Sequence, residues 1–111
     1  MAETQAGQHL RNLDENPQPG TAGVASVAKI LLTNTTGVTV FVQMFDAAAA
    51  DIILGTTIPL LQIPLPATTG AEDLDFDPPW LINRQLTLYA TTDSEGNTGA
   101  VDGVFAQIFE V

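Results

Sequence analysis

From Val24 onward the chain runs in short β-branched and aliphatic stretches, separated by clusters of Gly, Pro, Asn and Asp. That punctuation predicts strands rather than helices. Residues 24–33 (VASVAKILLT) form a first strand, and Asn34-Thr35-Thr36-Gly37 reads as a short turn that folds 38–46 back as its hairpin partner. Residues 46–55 (DAAAADIILG) carry four helix-favouring alanines, but the span between turn signals is short for a helix, which predicts a loop with a small strand. In 58–65 (IPLLQIPL), Pro59 and Pro64 remove ladder donors, so an edge strand or extended segment is expected. Residues 71–77 alternate strongly and Pro78-Pro79 is expected to break that strand; 85–92 (QLTLYATT) forms another. After the turn-rich stretch 93–99, residues 101–111 (VDGVFAQIFEV) make the last.

Strands at spacings of about ten residues, roughly six to eight in all, predict an all-β fold: an antiparallel β-sandwich, jelly-roll-like, because a single sheet could not cover its own apolar face. A barrel is the alternative. Residues 1–23 differ from the rest. Leu10 and Leu13 are their large apolar side chains after Met1, and Pro17, Pro19, Gly20 and Gly23 punctuate the end. Two leucines make too narrow a stripe for a docked helix over 3–12. The division is therefore a polar, extended or disordered N-terminal arm, 1–23, and a sandwich domain, 24–111.

Several strands are apolar on both faces. In 38–45 the even positions are Val38, Val40, Val42 and Met44, and the odd ones Thr39, Phe41, Gln43 and Phe45. Alternation sends the two sets to opposite sides of the sheet. The last strand repeats this, with Val104, Ala106 and Ile108 against Phe105, Phe109 and Val111, and in the first strand Ile30 and Leu32 oppose Val27 and Leu31. If one set builds the core, the other needs a cover. The loop 47–54 and the proline-rich segment could supply it from within the chain. The favoured expectation is a subunit interface built on Phe41, Phe45, Phe105 and Phe109, because soluble monomers rarely expose a large aromatic patch.

Charge and candidate chemistry narrow the function. Thirteen acidic side chains against Arg11, Lys29 and Arg84 give a net charge of -10, which repels phosphate and anionic headgroups, so neither nucleic acid nor a membrane surface is an expected partner. The chain has no cysteine, no P-loop or dinucleotide motif, and a lone His9 in the polar arm; Ser26 and Ser94 lie in no nucleophile context. No enzyme, cofactor or metal is expected. Asp73, Asp75 and Asp77 would share one strand face, but i and i+2 side chains stand about 6.5–7 Å apart, too far for one ion to hold all three. A solvated acidic face that blocks edge pairing explains them better. Trp80, after the rigid Pro78-Pro79, and Tyr89 are candidates for a glycan-stacking surface, although both also suit an ordinary corner and strand.

Residues 29–111, about three quarters of the chain, resemble small structural proteins of tailed bacteriophages. The resemblance rests on Leu32-Thr33-Asn34-Thr35, Phe41-Val42-Gln43-Met44-Phe45-Asp46-Ala47, Ile63-Pro64-Leu65-Pro66, Asp73-Leu74-Asp75-Phe76 and Ala106-Gln107-Ile108-Phe109, with Asp77-Pro78-Pro79-Trp80 standing where a glycine-containing turn would be usual. It implies a virion component with a jelly-roll-like sandwich, assembled into trimers or larger rings, on the outer capsid surface or the tail. The expected function is a capsid decoration (cement) protein that binds the major capsid protein or another virion protein. The arm, with His9, Leu10, Arg11 and Leu13, would lie across neighbouring capsid subunits and gain affinity from many weak contacts. The alternatives are a tail, baseplate or fibre module that contacts host glycans or other tail proteins, and a binding domain outside any virus.

Overall fold

The computed structural model describes residues 8–13, 16–53, 55–68, 71–93 and 103–111. The turn expected at 93–99 falls outside them after Asp93, as do the first seven residues of the arm. Among the described residues there are eight strands: β1 (Gln8–Leu13), β2 (Gln18–Pro19), β3 (Ala25–Asn34), β4 (Val40–Asp46), β5 (Leu61–Leu65), β6 (Glu72–Ile82), β7 (Leu86–Thr91) and β8 (Val104–Glu110). They form two antiparallel sheets, a first in the order β1-β8-β3-β6 and a second in the order β2-β7-β4-β5. Four of the ladders are nested pairs, β1 with β8, β2 with β7, β3 with β6 and β4 with β5. A long antiparallel ribbon rolled up on itself gives these pairings, and rolling adds the contacts β3·β8 and β4·β7. This is the jelly roll the strand spacing predicts.

The expected hairpin between the first two core strands does not form. β3 pairs with β8 and β6 in one sheet, whereas β4 pairs with β5 and β7 in the other. Asn34 carries the chain across. It is fully buried at the end of β3, and its Oδ1 accepts from the Thr36 backbone N–H (2.9 Å) and the Thr36 hydroxyl (2.6 Å). Its Nδ2 donates to the carbonyls of Val38, Leu65 and Pro66 at 2.9, 3.1 and 3.1 Å. Two hydrogens shared among three carbonyls tie the crossing to the end of β5. Local turn chemistry is the same in a hairpin and in a crossover, so only the tertiary acceptors decide between them.

The core lies between the sheets. Val27, Ile30, Leu32, Val104, Ala106 and Ile108 of the first sheet meet Val40, Val42, Met44, Leu86, Leu88 and Ala90 of the second, all essentially fully buried. Val27 and Ile30 share the inner face despite their odd spacing, because β3 bulges between Val27 and Lys29 and changes phase there. The sequence alternation alone puts Val27 outside.

Of the arm's described residues, Gln8–Leu13 and Gln18–Pro19 pair into the sandwich. β1 closes one edge of the first sheet on β8, and Leu13 at its end is buried in the core. Strand pairing supplies what two leucines on a helix could not. β2 then borders the second sheet, where Gly20 donates its N–H to the Leu86 carbonyl at 2.7 Å. A Cβ at Gly20 would stand 2.6 Å from Leu88 Cδ1, so the chain enters the sheet at a spot with little room for a side chain.

β5 is an edge strand, as Pro64 within it and Pro59 just before it predict. β6 differs from expectation: it runs through Pro78-Pro79 to Ile82. It too is an edge strand, and the prolines fall where Lys29 pairs with Asp75 but Val27 with Trp80, so residues 76–79 bulge opposite Ala28. Missing N–H groups cost no ladder bond in such a bulge. The alanine-rich segment forms a single 3₁₀ turn (Ala49–Asp51) with no strand in its described residues.

Candidate functional site

The two outer faces have different fates. On the second sheet, Phe45 stacks on Tyr89, with 5.5 Å between centroids and 8° between planes. Ile52 and Ala47 from the loop after β4 cover the pair, leaving Phe45 2% and Tyr89 1% exposed. The Thr87 hydroxyl donates to the Ala47 carbonyl at 2.6 Å and holds the start of that loop down. Gln43 is buried beside them, donating to the Thr91 hydroxyl (3.3 Å) and accepting from the Gln62 side chain (3.0 Å). The chain thus provides its own cover here.

Two expectations are corrected. Phe45 is an internal packing residue rather than part of a subunit interface. Tyr89 has no ring face to offer a sugar, and it lies in a different cluster from Trp80. Burial raises the Tyr89 phenol above its ordinary value; the Gly55 backbone hydrogen bond pulls the other way, and the Asp93 charge adds to the rise. Phe41, on the same face and opposite Thr91 and Pro64, stays half-buried.

The outer face of the first sheet is the candidate site. Across β8, β3 and β6 the register sets Phe109 beside Lys29 and Asp75, Gln107 beside Leu31 and Asp73, and Phe105 beside Thr33. Phe105, Gln107, Phe109, Leu31 and Thr33 are each half-buried. Lys29 Nζ lies 5.6 Å from the centre of the Phe109 ring and 3.3 Å from Asp73 Oδ2. A lysine whose stem lies along an apolar surface while its head pairs in water leaves an amphipathic patch. Two aromatic rings alternate there with amide, hydroxyl and paired charge. Such a surface can bind a partner by burying its rings. His9, Leu10 and Arg11 stand on β1 at the far side of β8, paired with Ile108, Gln107 and Ala106. Leu13 is withdrawn into the core and is not a contact residue.

The acidic strand edge is arranged as its alternation predicts. Asp73, Asp75 and Asp77 are exposed while Leu74 and Phe76 pack against the core. Among the described residues, no group of three or more His, Cys, Asp or Glu side chains stands close enough to hold a metal ion.

Two further features were not anticipated from sequence. The Asp46 carboxylate accepts the backbone N–H groups of Asn83, Arg84 and Gln85 at 2.8, 2.8 and 3.2 Å, fixing the turn between β6 and β7. Its place after an alternating strand signals an end of strand but not a partner in a turn so far along the chain. The other is an apolar groove of about 430 Å³ between the edge strands β5 and β6, lined by Leu60, Leu61, Phe76, Pro78 and Trp80. Trp80 is half-buried there and tilts at 45° against Phe76, 5.4 Å away. Comparison with known protein families, with characterised proteins and with solved structures finds no match to this chain.

Proposed function

We propose that this protein is a non-enzymatic structural component of a bacteriophage virion, a capsid decoration protein that self-associates, as a trimer, and binds the major capsid protein on the outer capsid surface. The observation that carries the reading is the amphipathic outer face of the first sheet, where Phe105 and Phe109 stay half-buried beside Leu31 and Lys29 while Phe45 and Tyr89 on the opposite outer face are covered from within. The jelly-roll order, an architecture that recurs in capsid and lectin domains, and the resemblance of 29–111 to phage structural proteins support it. Because β1 is docked, attachment is assigned to this face and to the β1 edge beside it rather than to a free tether. The test is co-sedimentation of the purified protein with capsids of the phage that encodes it. Saturable binding that raises the capsid's melting temperature is expected, and capsids that leave the protein in the supernatant overturn the reading.

A tail or fibre module that touches glycans is the second reading, favoured by the half-buried indole of Trp80 in an open groove. Glycan-array binding lost on Trp80→Ala would move the assignment there.

A further inference from the structure

The outer face of the first sheet carries aromatic rings and carboxylates side by side, and the two act in opposite directions on a second copy. Asp75 stands in register with Lys29, and Lys29 with Phe109. Two strand spacings, about 10 Å, therefore separate Asp75 from Phe109. An interface of ordinary size covers about 800 Å² on each partner, a disc of about 16 Å radius. A contact centred on the Phe109 ring thus takes in Asp75 as well.

Lys29 does not neutralise both carboxylates of its own face. Its Nζ lies 3.3 Å from Asp73 Oδ2, while Asp75 is exposed and has no ion pair among the described residues. An approaching copy brings the same groups, with three basic residues against thirteen acidic ones and a net charge of -10, so it has no surplus cation to set against Asp75. Burying the rings favours contact at any ionic strength, whereas repulsion between the copies weakens as salt screens it. From this arrangement, and resting on the reading of the face as the self-association surface, we infer that assembly of this protein is gated by ionic strength, with Asp75 the group that holds copies apart in low salt.

Sedimentation of the full-length protein over a concentration series tests this, at about 0.01 M NaCl, where the screening length is about 30 Å, and at about 0.15 M, where it is about 8 Å. At the higher salt, assembly should set in at a concentration lower by about tenfold or more. Asp75→Asn sits on an exposed position and should strengthen association in low salt about two- to fivefold, the scale of one exposed charge. The control is Asp51→Asn, which removes the same charge from the exposed 3₁₀ turn in the loop after β4, away from this face, and should give a smaller gain. Assembly indifferent to salt, or an equal gain from the two substitutions, overturns the inference and leaves self-association standing. A chain that stays monomeric at both salt concentrations removes self-association through this face and the inference with it.

Discussion

Phe45 and Tyr89 lie face to face, 5.5 Å apart, on the outer side of the second sheet and under Ile52. A strand that is apolar on both sides therefore finds two covers within one chain, the opposite sheet for Val40, Val42 and Met44 and the following loop for Phe45. Phe45→Ala should cost about 3–5 kcal/mol, the range for deleting a fully buried phenylalanine. Urea unfolding measures this, and light scattering on the same variant should show an unchanged mass. A changed mass with unchanged stability would return Phe45 to an interface.

Leu13 tests the docking of the arm. It is fully buried at the end of β1, opposite Val104. Leu13→Ala should destabilise the fold by about 2–5 kcal/mol. A free tether would tolerate the change at no cost, so unaltered unfolding would undo the assignment of β1 to the sandwich.

Asn34 is a sharper case because substitution by Asp barely changes its size. A carboxylate can still accept from Thr36 but cannot donate to Val38, Leu65 and Pro66. Three carbonyls then lose a donor and face a buried negative charge. Asn34→Asp should cost about 3 kcal/mol or more at neutral pH, read as a lower urea midpoint.

These residues also mark how far the sequence could be read. Strand existence was legible in 24–33, 38–46, 85–92 and 101–111 because period-two alternation survives wherever a strand has one core face. Pairing was not, since Asn34-Thr35-Thr36-Gly37 would serve a hairpin equally well, and the acceptors that make it a crossover lie about thirty residues on. The phase of β3 was lost at its bulge, which nothing in VASVAKILLT announces. Pro78-Pro79 has the form of a strand end, and the edge position of β6 that lets the strand run through it is set only by the tertiary fold. Of the candidate site, Phe105 and Phe109 were legible as an outward pair, whereas the covering of Phe45 and Tyr89 depends on where Ala47 and Ile52 come to lie on the sheet. The groove needed both edge strands in place before its lining residues could be associated.

Tyr89 gives the fold a pH dependence of known sign. Burial lifts its pKa above the ordinary value of 10.0, so the native state keeps its proton where the unfolded chain has released it. Its contribution to stability is fully present below the unfolded pKa and is lost as pH rises through the folded one. Tyr89 is the chain's one tyrosine, so tyrosinate absorbance should titrate late and in step with unfolding, and Tyr89→Phe should flatten the alkaline fall in stability. A titration at the free-tyrosine position in a still-folded chain would contradict its burial.

The outer face of the first sheet carries the remaining prediction. Phe105 and Phe109 are half-buried beside Leu31 and Lys29, so their truncation should weaken an assembly far more than the fold. Aromatic anchors at the centre of an interface are worth about 2 kcal/mol each or more, so the pair Phe105→Ser, Phe109→Ser should raise the dissociation constant about a thousandfold. Light scattering should then give an oligomer for the native chain and a monomer for the double variant, while Trp80 emission stays native in both. A native chain that is monomeric across the concentration range removes self-association through this face. A double variant that unfolds shows instead that the two rings belong to the internal packing, as Phe45 does.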